Sequence, residues 1–353
     1  MSAGLPRDVR GTAPASMCRR TVLAALACLA LCGGTSARAA SVAEPDGGAA
    51  APVATPGDRC PPDPVVPTKE ESLRSAREAV DNGLLWKATK GGRAVYLYGT
   101  IHVAKLAWIY PGPRVLAAMR ASDVVSLELD VTDPGVLDRL RRVLLRRPDS
   151  PTLAPALQAR LAAQAAAACL APEALAPLRP EMQAITVEVM QGRQFGLYPA
   201  YGVDEAVAVV AGHLHKPIRA LETPEMQAGL LVSDDPAKTA EAVSAIMDEL
   251  EAGKSPQMLR RLAGDWERGD LADLGGYANW CECLETPQER ADFVRLVDER
   301  NPLMADKIVK WHAEGKTLFV AVGSLHMIGR VGLPELLKAR GFRVERVALS
   351  GAR

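Results

Sequence analysis

Aromatic side chains are scarce in this chain: four Phe, six Tyr and five Trp amount to 4% of 353 residues. Ala, Leu and Val must therefore pack the core, and an apolar share of 48% is ample for that. An excess of either charge is also missing, since 42 Lys and Arg face 42 Asp and Glu. Bulk electrostatics thus give no case for a nucleic-acid partner. No apolar run reaches the ~20 residues that a membrane-spanning helix needs. Thr21–Leu31 falls well short of that length, follows Arg19-Arg20 and leads to small residues around Ala37-Arg38-Ala39. That order of charge, apolar run and Ala-x-Ala is the pattern of a secretory signal peptide, with cleavage expected after Ala39 and no transmembrane segment in the mature chain. Val22 and Ala24 match a twin-arginine signal poorly but leave that route open, and Leu31 is too large to precede a lipidated Cys32. The expected location is periplasmic or secreted.

Residues 40–70 are rich in Ala, Pro and Gly and nearly devoid of large apolar side chains, the composition of a flexible linker. The folded part is expected over residues 71–353, opening with a short helix over Ser72–Asp81. Four of the seven cysteines lie beyond the signal: Cys60, Cys169, Cys281 and Cys283. In an oxidising compartment they are expected to pair. Sequence leaves three connectivities open, with Cys169 read as bridging to Cys281 or Cys283. The single residue between those two differs from the two-residue gap of zinc or thioredoxin-type pairs, which favours structural disulfides over metal or redox chemistry.

What the chain does possess is a repeated strand–Gly-x-x-His–helix unit at its two ends. Leu84–Lys90 and Ala94–Tyr98 read as strands joined by Gly91-Gly92, a pair suited to a tight hairpin. The second strand runs into Gly99-Thr100-Ile101-His102, where the missing Cβ permits a sharp exit from the sheet. A helix over Pro113–Ala121 and a strand over Val124–Asp130 follow, the strand carrying Ser126, Glu128 and Asp130 on one face. Near the other end, Leu318–Val322 runs into Gly323-Ser324-Leu325-His326, then a helix over Leu333–Arg340 and a strand over Phe342–Val347. Between the units lies a helical insert over about 134–316. It contains Gly202-Val203-Asp204, the strand Pro217–Leu221 ending in Glu222, and one helical region over Pro287–Gly315 that includes Arg300-Asn301. The arginines 139, 141, 142, 146 and 147 read as a solvated helix face.

Two of only five histidines thus occupy matching positions 224 residues apart. Neutral imidazoles with a carboxylate such as Glu128 form a catalytic zinc-type set that leaves a position for water. His213-Leu214-His215 lies in a helix-to-strand connection and reads as surface loop, and His312 as an ordinary helix-terminal histidine.

The run Trp86-Lys87, Tyr96-Leu97-Tyr98-Gly99-Thr100-Ile101-His102-Val103 and Leu127-Glu128-Leu129-Asp130 resembles the opening of the TraB/GumN family, which includes the Tiki metalloproteases. The likeness continues through Gly202-Val203-Asp204, Leu221-Glu222-Thr223 with Gln227, Arg300-Asn301 with Met304, and Val322-Gly323-Ser324-Leu325-His326, ending at Gly341-Phe342-Arg343-Val344. Ser324-Leu325 departs mildly from the Gly-Ala-Gly-His or Gly-Ala-Leu-His common there. The resemblance implies an α/β fold with a mostly parallel central sheet flanked by helices, like ChaN and erythromycin-esterase proteins. It also implies a metal-dependent hydrolase, a peptidase, with His102, His326 and Glu128 holding Mn, Co or Zn. Arg300 is expected to stabilise a developing oxyanion or to hold a substrate carboxylate. Asp130, Asp204, Glu222 and Asn301 are expected around the metal ligands or the substrate. The expected partner is a peptide or small-molecule substrate. Two alternatives stay open: a non-catalytic peptide- or ligand-binding protein, and a metal-free esterase with a histidine base.

Overall fold

The computed structural model describes residues 60–349 except Glu285; the signal-peptide reading falls outside them. The fold is α/β around a six-stranded mixed sheet. Its strands are β1 (Leu84–Lys90), β2 (Arg93–Thr100), β3 (Val124–Leu127), β4 (Ile218–Ala220), β5 (Leu318–Gly323) and β6 (Arg343–Val347), in the order β4-β3-β5-β2-β1-β6. Four neighbours, β4, β3, β5 and β2, run parallel. The β1–β2 hairpin and the β1–β6 pair are antiparallel. Gly91 and Gly92 take φ of +57° and +77°, the left-handed geometry that a two-residue hairpin demands.

Side-chain alternation sends the strands' apolar residues to two cores. Leu84, Trp86, Val95, Leu97, Val320 and Val322 face a layer that includes Met304, Ile308, Leu333 and Leu337 from helices Asn301–Ala313 and Leu333–Ala339. Leu85, Tyr98, Val125, Leu127, Phe319 and Ala321 face the opposite layer, built largely from the insert. There the helices Pro180–Met190, Val203–His213, Pro236–Glu251 and Lys254–Arg268 supply the covering side chains. Both faces of the parallel strands are therefore buried, as their near-continuous apolar composition requires.

Register decides where the chemistry-bearing residues go. Thr100 pairs with Gly323 across β2 and β5, and Leu127 pairs with Ala321 across β3 and β5. The Glu222 N–H donates to Glu128 O at 2.9 Å, extending the β3–β4 pairing past the strand ends. Both Gly-x-x-His motifs, Glu128 and Glu222 thus emerge at one carboxyl edge. That edge is where parallel α/β sheets gather their ligands. Gly99 is needed there for close approach rather than for a turn. Its strand continues to Thr100, and a Cβ on it would stand 2.8 Å from Ser324 Oγ and 3.2 Å from Ser324 Cα.

Several boundaries differ from the sequence reading. The first helix is Lys69–Glu78 rather than Ser72–Asp81, because Thr68 and Glu71 form a reciprocal capping box. The preceding stretch, read as linker, is tied down: the Tyr198 and Tyr201 hydroxyls donate to Pro62 O and Val65 O at 2.9 and 2.8 Å. Cys60 is bonded to Cys169. Cys169 therefore does not bridge to the later pair; Cys281 and Cys283 are bonded to each other. Cys169 turns toward the extended segment because it leaves the helix Pro155–Ala167 with φ of +54°. The region over 287–315 is also not one helix. It divides into Pro287–Phe293, a π-helical turn Val294–Asp298, and Asn301–Ala313.

Candidate functional site

Each histidine of the paired motifs is buried and oriented by a partner from the insert. His102 Nδ1 stands 2.9 Å from Asp204 Oδ1, and His326 Nδ1 stands 2.6 Å from Asn301 Oδ1. Carboxylate and amide oxygens only accept, so each Nδ1 carries a proton, and it is Nε2 that is bare whenever the ring is neutral. Neither Nε2 has a hydrogen-bond partner. Asp204 reaches His102 because the Val203–His213 helix starts beside the first motif, with the Val203 N–H donating to Ile101 O at 2.9 Å. Gly202 permits that approach, since a Cβ there would stand 3.1 Å from His102 O. Asn301 reaches His326 because the π-helical turn, a common device at functional sites, resets the phase of the chain before Asn301–Ala313.

Glu128 sits between the imidazoles and a buried arginine. Its Oε1 lies 3.8 Å from His326 Nε2 and accepts the Gly323 N–H at 2.9 Å. Its Oε2 accepts from Arg300 Nη2 at 2.7 Å and from Gln227 Nε2 at 3.0 Å. Arg300 also donates from Nε to Glu222 Oε1 at 2.7 Å, from Nη2 to Glu222 Oε2, and from Nη1 to Leu296 O at 2.8 Å. Gln227 links the carboxylates by a second bond to Glu222 Oε2 at 2.8 Å. Four of the five guanidinium N–H groups are therefore committed within the protein. This makes Arg300 the counter-charge of two carboxylates.

The charges follow from this geometry. Burial raises the Glu128 carboxyl, but the Arg300 guanidinium, the two histidines and the Gly323 N–H together hold it down at about 2. Burial and the nearby Arg300 push His326 down to about 3, so its ring is neutral. For His102, burial lowers the pKa, and the Asp204 and Glu128 carboxylates more than compensate and raise it.

His102, Glu128, His326, Arg300, Asp204, Glu222 and Asn301 are thus brought together. Asp130 is not: β3 ends at Leu127, and the Asp130 carboxylate instead accepts from Thr132 N and Oγ1 at 3.1 and 2.6 Å. His213 and His215 are exposed. His312 is buried with its ring 4.8 Å from Phe342, so it is a core residue at the other side of its helix end. Gln227 is the site residue that sequence reasoning left without a role; its signal was its place one helical turn after the Glu222-Thr223-Pro224 helix entry.

A cavity of about 10 Å³, lined in part by His102, Glu128 and Asp204, adjoins this cluster. That is room for about one water or one ion. In donor chemistry the residues suit a divalent cation: two neutral imidazole nitrogens without partners beside a carboxylate oxygen. In spacing, no group of three His, Cys, Asp or Glu side chains among the described residues stands close enough to hold one as they are.

A family model described as the TraB/PrgY/gumN family matches residues 84–346. The chain belongs to this family. The match runs from the first residue of β1 to within one residue of the end of β6, so it covers the sheet, both histidine motifs and the insert of this TraB/PrgY/gumN protein. No curated protein and no solved structure matches the chain. Among the described residues no helix is long and apolar enough to cross a membrane.

Proposed function

We propose that this TraB/PrgY/gumN protein is an exported, divalent-metal-dependent hydrolase acting on peptide bonds, with His102, His326 and Glu128 as metal ligands. The observation that carries this reading is the pair of buried imidazoles, each fixed by Asp204 or Asn301 at Nδ1 and each leaving Nε2 without a partner beside Glu128. Leaving two buried nitrogens unpaired is costly, and a metal-free general base needs only one of them. Carboxylate– and amide–histidine pairs of this kind are how proteins orient metal-binding imidazoles. When bound, the metal would lower the pKa of a water molecule toward neutrality.

The protein's own residues have separate duties in this proposal. Asp204 and Asn301 keep each Nδ1 protonated and each Nε2 lone pair turned inward. Arg300 and Gln227 keep Glu128 ionised and hold it still, while Glu222 completes the charge balance. The apolar walls of the sheet edge exclude bulk water. Export is supported by the order of charge, apolar run and Ala-x-Ala at residues 19–39 and by two disulfides among the described cysteines.

Elemental analysis and peptide hydrolysis, compared among the native chain, His102→Ala and His326→Ala, test this reading. The native chain should carry one equivalent of metal and cleave peptides, and each variant should lose both while keeping its fold. Hydrolysis that survives a strong chelator would sink the metal reading. It would favour a second one, carried by the His102–Asp204 pair, in which His102 acts as a general base. Peptide binding without turnover would leave a binding protein.

A further inference from the structure

The strongest feature outside the histidine cluster is an apolar pocket of about 60 Å³ that opens next to it. Its floor is the two Gly-x-x-His motifs themselves, through Ile101, His102, Gly323 and Ser324. Its walls come from elsewhere: Met258, Leu262 and Trp266 on one face of the Lys254–Arg268 helix, with Leu274 and Tyr277 from the following turns. Those helix positions are spaced four apart, so they stack along one stripe.

The walls are fixed rather than loosely filled. The Trp266 indole N–H donates to Gly99 O at 2.7 Å, and its ring lies 5.1 Å from the ring of Trp108. Tyr277 packs against Phe293 and Trp280 at centroid distances of 5.8 and 5.0 Å. Met258 Sδ lies 3.2 Å from Cys281 Sγ, so the Cys281–Cys283 loop braces the rim. A rigid apolar recess that shares its floor with a reacting site is placed to receive part of the molecule that reacts there.

Resting on the hydrolase reading above, we propose that this pocket is the specificity pocket and receives an aliphatic side chain flanking the scissile peptide bond. The volume selects the class. A cavity of ~150 Å³ is what holds a six-carbon benzene ring; at that ratio this pocket has room for about two or three heavy atoms, the end of a leucine or methionine side chain entering from the mouth, and not for an aromatic ring. Charged side chains are rejected because the lining is almost wholly carbon and offers them no partner. Helix Lys254–Arg268 therefore determines specificity from a segment that contributes nothing to the histidine cluster.

Two measurements separate this proposal from the reading on which it rests. The first is kcat/KM for a set of fluorogenic decapeptides that vary one residue at a time around the cleavage point. Leu should exceed Ala and Asp there by at least tenfold, in line with ~10–200-fold per methylene in apolar pockets. Leu262→Trp should fill the pocket and abolish that preference, and Met258→Ala should widen it and admit Phe. The second is binding of N-acetyl-leucine amide and N-acetyl-aspartate amide to metal-free protein, followed by NMR shifts of pocket methyl groups. His326→Ala should lose cleavage and still bind the leucine amide.

Cleavage without an apolar preference, or with one that neither variant alters, would overturn the pocket and leave the hydrolase standing. Binding of the leucine amide that Leu262→Trp removes, with no cleavage of any peptide, would support the pocket and end the hydrolase reading. Neither cleavage nor binding would overturn the pocket as well. Should Leu262→Trp fail to fold, Met258→Ala decides both measurements.

Discussion

Replacing Arg300 by Met tests the central electrostatic argument. The guanidinium is 5% exposed and is the counter-charge of Glu128, at 3%, and Glu222, at 5%. In the native chain Glu128 is held at about 2 against an ordinary 4.5. At ~1.4 kcal/mol for each tenfold change in proton affinity, that contributes about 3 kcal/mol of stability. Its sign is that of a depressed carboxylate: complete above pH 4.5 and lost as pH falls through about 2. Removing one member of a buried ion pair costs ~3–5 kcal/mol, in agreement with that figure. Without Arg300 the largest influence holding the Glu128 carboxyl down is lost, and burial is opposed only by the two histidines and the Gly323 N–H, so its pKa rises. The stability that Glu128 contributes above pH 4.5 is then reduced, and the loss is smaller at low pH, where the carboxyl can take up a proton. Thermal melts at pH 5 and pH 7.5 should show Arg300→Met lower than native by roughly 6–12 °C at the higher pH, from the scaling for large domains, and by less at the lower pH. Adding Glu222→Gln should recover part of the loss. A single variant that melts within 2 °C of native at both pH values would refute the reasoning, because it would mean that water or other groups already balance the two carboxylates.

Three further outcomes follow from the same geometry. Asp204→Asn and Asn301→Leu should each weaken metal binding by ~10–100-fold with little change in fold, since they act through imidazole orientation; isothermal titration with Zn or Mn checks this. Cys60→Ser should cost about 2–5 kcal/mol in urea denaturation, because the Cys60–Cys169 bond closes a sequence separation of 109 residues; a loss below 1 kcal/mol would show that the 60–68 segment is held by other contacts. Burial and the neighbouring Asp204 push the Glu205 carboxyl up to about 8. The folded state keeps that proton between pH 4.5 and about 8, so stability falls across this window as pH rises, and Glu205→Gln should flatten the melting temperature there.

The local pattern of residues was sufficient for the elements that bear the site. Alternation and β-rich runs mark β1, β2 and β5, Gly91-Gly92 marks the hairpin, and the recurrence of Gly-x-x-His after two strands singles out His102 and His326. Glu128 stood out because a carboxylate beside an apolar strand needs a counterpart. These are short-range signals, set by backbone sterics and side-chain periodicity, and they are written within a dozen residues. The counterparts themselves were decided elsewhere. Glu128 meets Arg300 across 172 residues and His102 meets Asp204 across 102. Gln227 joins the cluster from a third segment, and Cys169 finds Cys60 rather than the later cysteines. The π-helical turn at Val294–Asp298 divides what periodicity read as one helix, and that break is what turns Arg300 and Asn301 into the site. Asp130, two residues from Glu128, is lost to the site because the strand stops at Leu127. Residue type and spacing state what a side chain can do; which partner it meets depends on strand order and register, and these are settled only when the whole sheet and its two cores close together.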